Sequence, residues 1–243
     1  MVFGLFSKEK ALQRTIERAT NKLAQQGDRW AAMDQLVKDG SPDALYGLCK
    51  RFGITSLKGV EDEQEKNWVV DVMVGFGPAA LAPVTRYVKS APQLSFALKI
   101  VERVGGPDDI CEVADAIFAT EEPGYTRDPE RRLDAIRWLA ELEKVPAAER
   151  VKRLAPYLKD FDQNVRCAAA DGLAPHDASM IGGPLLEAFL RPEEESGRFR
   201  RRIAEILAEK KIPLGGKGAE VAPLLTGPVA GFAVQGDLLV ART

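Results

Sequence analysis

Apolar residues recur at helical spacing along almost the whole chain, and the pattern is clearest between residues 150 and 173. The apolar positions in the first half of that stretch are Val151, Leu154, Tyr157 and Leu158. A polar run over 159–164 contains residues that cap helices, and an Ala-rich segment over 165–173 follows it. The spacing predicts two helices joined by a turn. Because two helices cannot bury their apolar faces alone, we expect further pairs stacked beside this one.

The same reasoning predicts six helix pairs, separated by breaks that contain Gly or Pro. Outside residues 150–173, the predicted helices cover residues 7–26, 29–38, 44–51, 61–74, 79–89, 93–104, 109–120, 129–144, 179–190 and 195–210. The remaining tail is rich in Gly and Pro. Its pattern predicts a short helical turn over 219–225 and a hairpin over 230–242, with Gly236 and Asp237 at the bend.

The second helices of the six pairs align with one another. The first aligned position holds Arg29, Lys66, Leu94, Arg132, Arg166 and Arg200, so five of the six are basic. Residues three and seven positions later are apolar in every pair, and the last two steps between first positions are both 34 residues. This recurrence indicates an internal repeat of one helix pair.

The repeated unit resembles a HEAT repeat, in the short bacterial form also seen in phycobiliprotein-lyase-type HEAT proteins. The residues that carry the resemblance are Leu154, Pro156, Leu158, Asp160, Val165, Arg166, Ala169 and Leu173. The resemblance implies an all-α fold, a right-handed α-solenoid of about six HEAT-like helix pairs over residues 1–211. Residues 212–243 would then form a capping segment that ends in a small β-hairpin.

The resemblance also implies structural roles for four polar residues. In HEAT repeats an Asp at the turn between the helices and an Arg six residues later help to join successive repeats. These roles fall on Asp160 with Arg166 and, as an acidic variant, on Glu194 with Arg200. A HEAT-like unit implies an architecture but no activity.

Composition and charge narrow the classes of function. The 34 basic and 36 acidic residues give a formal net charge of −2, whereas a dedicated nucleic-acid binder usually has a basic excess. No apolar run approaches 18 residues, so we expect no membrane span. The N-terminus lacks the pattern of a secretory signal. Three widely spaced cysteines predict buried thiols in a reducing compartment. We therefore expect a cytoplasmic protein.

The sequence offers few residues for catalysis. His176 is the single histidine, which excludes triads and His-rich metal sites, and its place between Pro175 and Asp177 favours a solvent-facing loop. The usual glycine-rich phosphate motifs are missing, and we interpret Gly182-Gly183-Pro184 as a helix breaker. Carboxylates cluster over 61–65, where we expect a solvated helix start. We expect no catalytic residue, no metal site and no cofactor.

Two groups of side chains are candidates for binding a partner. The first group lies on the second helix of the fourth pair and comprises Arg131, Asp134, Arg137 and Trp138. The second lies on the second helix of the sixth pair and comprises Arg198, Arg201 and Arg202. We expect a non-catalytic scaffold or adaptor that binds another protein through the concave surface lined by the second helices.

Two alternatives remain open from the sequence. HEAT-like DNA glycosylases that excise alkylated bases use an aromatic residue, an Asp and basic residues in a concave groove, and the set around Asp134 and Trp138 looks similar. This nucleic-acid-binding alternative requires the arginines of both groups and Trp138 to converge on one groove. A weaker alternative is a lyase-type chaperone that holds a cofactor on a client protein. Partner identity and oligomeric state are open at this point.

The first predicted helix is basic. It carries Lys8, Lys10, Arg14, Arg18 and Lys22 against few acids, and Phe3 and Phe6 precede it. This pattern favours a solvated outer face with the two phenylalanines packed on the first repeat. Contact with an acidic surface or anionic lipid is the alternative.

Overall fold

The structure, a computed structural model, describes residues 2–242, with side chains from residue 8 onward. These residues form thirteen α-helices, five short 3-10 segments and one antiparallel pair of strands. The predicted mostly helical fold with a small C-terminal hairpin is confirmed. None of the helices in this range is both long enough and apolar enough to span a bilayer. The proposed packing of Phe3 and Phe6 falls outside the described side chains.

The chain divides into two compact units, Met1–Thr120 and Glu121–Thr243. The helices of unit 1 are α1 (Val2–Ala19), α2 (Gln26–Asp39), α3 (Pro42–Cys49), α4 (Gly59–Gly75), α5 (Leu81–Val88), α6 (Ser95–Val104) and α7 (Pro107–Phe118). The first helix of each pair contacts the first helix of the next, in the order α1, α3, α5 and α7. The second helices α2, α4 and α6 contact one another in the same way.

Unit 2 repeats this arrangement with five helices that precede its C-terminal tail. They are α8 (Glu130–Glu141), α9 (Ala147–Leu154), α10 (Gln163–Leu173), α11 (Ala178–Leu190) and α12 (Gly197–Glu209). The second helices α8, α10 and α12 lie side by side, and α9 packs on α11. The tail adds a short helix α13 (Gly218–Val221) and the strands β1 (Phe232–Gln235) and β2 (Leu238–Ala241), which pair antiparallel. Strand β2 packs on α12 and covers its last apolar face.

The repeat register predicted from the sequence coincides with the core. The two apolar positions of each second helix are fully buried in all six pairs: Ala32, Leu36, Val69, Met73, Ala97, Val101, Ala135, Leu139, Ala169, Leu173, Ile203 and Leu207. The basic first position is buried in four of the five pairs that have one, with Arg29, Lys66, Arg132 and Arg166 between 2% and 8% exposed, whereas Arg200 is half-buried. A buried charge requires a partner, so these side chains organise polar contacts inside the stack.

Three interpretations from the sequence were wrong. His176 is buried rather than solvent-facing, with 5% of its surface exposed. Asp62 and Glu65, assigned to a solvated helix start, are buried among cations. Gly182-Gly183-Pro184 lies inside α11 and does not end it. Helix α11 needs a glycine there because a Cβ atom on Gly182 would stand 2.8 Å from the Ile212 side chain.

The first helix ends earlier than the apolar pattern predicts. Helix α1 stops at Ala19, and residues 20–25 form turns. The Thr20 hydroxyl donates to the Ile16 carbonyl at 2.8 Å, and the Leu23 N–H donates to the Asn21 side chain at 3.0 Å. Such local side-chain bonds offer the backbone an alternative to the next helical turn. Leu23 is consequently left outside the helix.

Candidate partner-binding groove

A groove of about 430 Å³ lies along the exposed faces of α8 and α10 in unit 2, and Arg198 of α12 completes its lining. Helix α8 contributes Leu133, Arg137 and Ala140 to its lining, and these residues recur at helical spacing on one face. Helix α10 contributes Cys167, Ala168 and Gly172 in the same way. The groove therefore lies on the surface that the sequence predicts for a partner.

Small residues set the depth of this groove. A Cβ atom on Gly172 would stand 2.9 Å from the Ala140 Cβ and 3.0 Å from the Leu154 side chain, so α10 approaches α8 closely at this point. Ala140 and Ala168 add little bulk above that contact. The floor of the groove is consequently apolar and accessible to a side chain of another molecule.

The walls of the groove carry both signs of charge. Arg137 is exposed and forms no ion pair or hydrogen bond within residues 8–242, whereas Arg198 donates to the Asn164 side chain at 3.0 Å. On the acidic side, Asp171 pairs with Arg202, and Glu130 and Glu141 also line the groove. Arg137 is thus the least committed cation in the lining, and Arg198, which bonds only a neutral amide, is the second cation that could form a new ion pair.

Asp134 lies on the exposed side of α8, but it does not line the groove. Partial burial raises the pKa of its carboxyl, and the neighbouring Glu130 raises it further, while Arg137 opposes both effects. This carboxyl therefore gains a proton more readily than an ordinary Asp. No hydrogen-bond geometry around it within the described residues points to acid–base catalysis.

The other predicted partner-binding residues are only partly brought together. Arg201 pairs with Glu205 at 3.0 Å, and Arg131 lies 3.6 Å from Glu121. Trp138 is 8% exposed and does not line the groove, and its Nε1 finds no hydrogen-bond partner among the described residues. Arg137 and Arg198 line the groove directly, and Arg202 reaches it through Asp171. The described residues therefore do not bring an aromatic side chain and several arginines together around one groove.

A continuous chain of buried polar contacts joins the second helices of unit 2. Asp160 is 1% exposed and accepts a hydrogen bond from Arg132 of α8. Arg166 of α10 donates to the Asp160 carbonyl at 2.8 Å and to Glu194 at 2.8 Å. Glu194 also accepts from Arg191, and the Arg191 carbonyl accepts from Arg200 of α12 at 3.0 Å. Arg132 and Arg166 therefore each reach the acid in the turn of the next pair, whereas Arg200 bonds a backbone carbonyl in the turn of its own pair.

Unit 1 contains a buried network of a different composition. Glu65 is fully buried and accepts hydrogen bonds from Arg29 and Arg51 at 2.8–3.1 Å. Asp62 accepts from Arg51 and pairs with Lys66 at 2.7 Å. Burial acts to raise the pKa of Asp62, but the bonds from Lys66, Arg51 and the Ser56 N–H outweigh it and lower the pKa to about 2. Asp62 is therefore charged in the folded protein, and both carboxylates are paired with cations.

Several exposed apolar side chains were missed by the sequence reasoning. Tyr125 and Phe161 are 77% and 67% exposed and pack edge to face, with ring centroids 5.3 Å apart. Leu23, Leu57 and Val60 are between 73% and 87% exposed. All five lie in or beside the segment between the two helices of a pair, where the helical period is interrupted. Large apolar residues inside these polar segments are the signal that would have identified them.

The comparisons with known proteins give no match. No protein-family model matches the chain, and neither a curated protein nor a solved structure is significantly similar to it. In the part of the chain that the structure describes, no group of three or more His, Cys, Asp or Glu side chains is placed to hold a metal ion. A function must therefore be inferred from the chemistry of the groove and of the surface.

Proposed function

We propose that the protein is a non-catalytic scaffold or adaptor of HEAT-like helix pairs that binds another protein through the groove of α8, α10 and α12. The observation that carries this proposal is the groove itself. It combines an apolar floor around Ala140, Ala168 and Gly172 with charged walls, and it includes the unpaired Arg137. An apolar centre with a polar rim is the usual composition of a protein interface.

The repeat architecture supports the scaffold part of the proposal. Within each unit, helices of the same kind contact their counterparts in the next pair, which is how a right-handed α-solenoid of HEAT-like pairs is built. The buried chain from Arg132 to Arg200 makes the same link twice, with 28 residues between the arginine and the acid each time. Stacked pairs of this kind present a row of second helices as a binding surface.

A segment of protein suits the groove better than a nucleic acid does. Glu130, Glu141 and Asp171 lie in its lining, and carboxylates at these positions would repel phosphates. A helix or an extended segment of a partner protein could place an apolar side chain on the floor of the groove. A carboxylate of the same segment could then pair with Arg137. No observation favours the alkylbase glycosylase, since Trp138 is buried and Arg201 and Arg202 are paired.

The proposal is tested by photo-crosslinking at chosen positions in native cells. A photoreactive residue at Ala168 or at Arg137 should crosslink the same protein, identified by mass spectrometry. The same residue at Lys152, which is exposed on α9 and does not line the groove, should not crosslink it. Different products from the two groove positions, or an identical product from Lys152, would contradict the proposal.

The captured protein then allows a quantitative test. Arg137→Glu should weaken its binding by about tenfold or more, since a charge reversal at an interface costs at least one ion pair and adds repulsion. Lys152→Glu makes the same change of charge away from the groove and should leave the affinity unchanged. Isothermal titration calorimetry with both variants, each checked for an unchanged melting curve, measures the difference.

A further inference from the structure

Three aliphatic side chains at one edge of unit 1 are almost fully exposed. Leu23 is 76% exposed, Leu57 87% and Val60 73%. Leu23 lies in the turn after α1, Leu57 lies in the bend before α4, and Val60 lies in the first turn of α4. Leu23 and Leu57 line the same cleft of about 550 Å³, so the two segments are neighbours. We call Leu23 and Leu57 the leucine edge.

Lysines flank the leucine edge in both segments. Lys22 directly precedes Leu23, and Lys58 directly follows Leu57. Both lysines line the same cleft as the two leucines, and Lys58 pairs there with Glu61 at 2.8 Å. Exposed aliphatic residues next to lysines are the combination expected where a protein meets the headgroup region of a lipid bilayer.

A stripe of cations leads to this edge along α1. Lys10, Arg14 and Arg18 follow one another at four-residue steps, so they lie on one face of the helix. All three are exposed, and none of their side chains forms an ion pair or hydrogen bond with the described part of the chain. Like charges at this spacing repel one another. An anionic surface would relieve that repulsion.

Of the three cations that line the cleft between the leucines, only Lys22 has no ion pair or hydrogen bond from its side chain among the described residues. Arg29 lies at its base, but its guanidinium is already bonded to Glu65 and to the Ala24 carbonyl. The Ser56 hydroxyl donates to the Lys58 carbonyl. Recognition of one defined anion would need several uncommitted donors that converge here, and Lys22 alone supplies one cation. A surface of high negative charge density needs only the cations and the exposed aliphatic groups.

We propose that the leucine edge and the cationic stripe of α1 form a docking surface for an anionic lipid bilayer. Leu23 and Leu57 would enter the boundary between headgroups and acyl chains, while Lys22 and Lys58 remain at the level of the headgroups. The stripe of Lys10, Arg14 and Arg18 would add electrostatic attraction along α1. The surface lies in unit 1 and does not depend on the groove of unit 2.

Co-sedimentation of the full chain with vesicles tests this surface. The wild type should bind vesicles made of equal parts phosphatidylserine and phosphatidylcholine, should not bind pure phosphatidylcholine, and should bind more weakly as salt rises. The triple variant Lys10→Gln, Arg14→Gln, Arg18→Gln should bind at least about tenfold more weakly. The double variant Leu23→Ser, Leu57→Ser should also lose at least about tenfold.

Matched controls separate this surface from general effects of charge and apolarity. Lys89→Gln, Lys152→Gln and Lys217→Gln together remove the same charge from exposed positions elsewhere, and Tyr125→Ser with Phe161→Ser removes two other exposed apolar groups. Both controls should bind as the wild type does. The proposal would be overturned if the wild type does not bind anionic vesicles at low salt. It would also be overturned if the control variants lose as much vesicle binding as the test variants. Binding to polyglutamate without binding to vesicles would overturn it in favour of an acidic protein.

Discussion

At the scale of single residues, the buried cations of the repeat stabilise the fold only because each has a partner. Arg166 illustrates the point, since it is 8% exposed and bonds to Glu194 and to two backbone carbonyls. Removing one member of such a pair leaves the other charge buried and uncompensated, which costs more than the pair itself contributes. The acid in the turn is therefore as important for stability as the arginine.

Glu194→Ala should lower the free energy of unfolding by about 3–5 kcal/mol, because Arg166 and Arg191 would lose their shared carboxylate. Chemical denaturation followed by circular dichroism measures this change. Glu193→Ala is the control, since Glu193 is exposed and adjacent in sequence, and it should change the stability by less than about 0.5 kcal/mol. Equal losses of stability in the two variants would contradict a stabilising role for the ion pairs of Glu194.

His176 should titrate below its ordinary pKa of about 6.5. Burial lowers the pKa of this imidazole, the cations Arg150 and Lys210 lower it further, and Asp177 opposes them weakly. Because the folded protein then binds fewer protons than the unfolded chain below pH 6.5, stability should fall as the pH falls from 6.5 through the lowered pKa.

The single histidine makes this titration simple to observe. Its ring Hε1 resonance in a proton NMR spectrum is unique, and its pH dependence gives the pKa directly. The loss of stability between pH 7 and pH 5 should be smaller in His176→Gln, which cannot titrate. A pKa at or above 6.5 would mean that the imidazole is solvated and that its buried placement is wrong.

At the scale of elements, small residues let neighbouring helices pack closely and leave the groove open. Gly172 faces Ala140 across the contact of α10 with α8, and no larger residue fits there. The same position lines the groove. One short stretch of α10 therefore sets both the helix spacing and the shape of the candidate binding surface.

Gly172→Ala should destabilise the protein by about 1–3 kcal/mol, because the added methyl group would force α10 away from α8. Gly183→Ala in α11 is the control, since nothing lies within 4 Å of the Cβ that it would add. Alanine is the better helix former, so this control should leave the stability unchanged or raise it by up to about 1 kcal/mol. Melting curves of the two variants measure the difference in stability. A Gly172→Ala protein as stable as the wild type would contradict the close approach of α10 to α8.

At the scale of the whole molecule, the chain forms two units of about equal size, each with its own core. In unit 2 the core runs from Leu133 of α8 to Leu207 of α12, and it ends at Leu239 of the hairpin, which is 1% exposed. A unit of this length is within the usual size range of an independently folding domain. The apolar face at the α12 end of unit 2 is covered by its own hairpin.

The polypeptide of residues 121–243 should therefore fold by itself. Its far-ultraviolet circular dichroism should be dominantly helical, and it should melt cooperatively. Deletion of the hairpin, residues 230–243, should lower the melting temperature of the full chain because α12 would expose the apolar surface that β2 covers. A fragment that melts gradually, or a deletion without effect, would contradict an independent and capped core in unit 2.

The sequence by itself determined the elements and their register. Helical spacing of apolar residues marks each helix, and the aligned positions of the six pairs identify the buried face, as the burial of Ala169 and Leu173 shows. The Gly236-Asp237 bend between β-prone runs identifies the hairpin. These features are local or recur along the chain, so one-dimensional periodicity contains them.

Tertiary structure alone decided which polar residues are buried and which charges are paired. Glu65 meets Arg29 and Arg51, which are 36 and 14 residues away, and periodicity contains no information about such distant partners. For the same reason the sequence could not separate Arg137, which is unpaired in the groove, from Arg201 and Arg202, which acids neutralise. Charge pairing depends on distances between helices, and only the packed chain sets those distances.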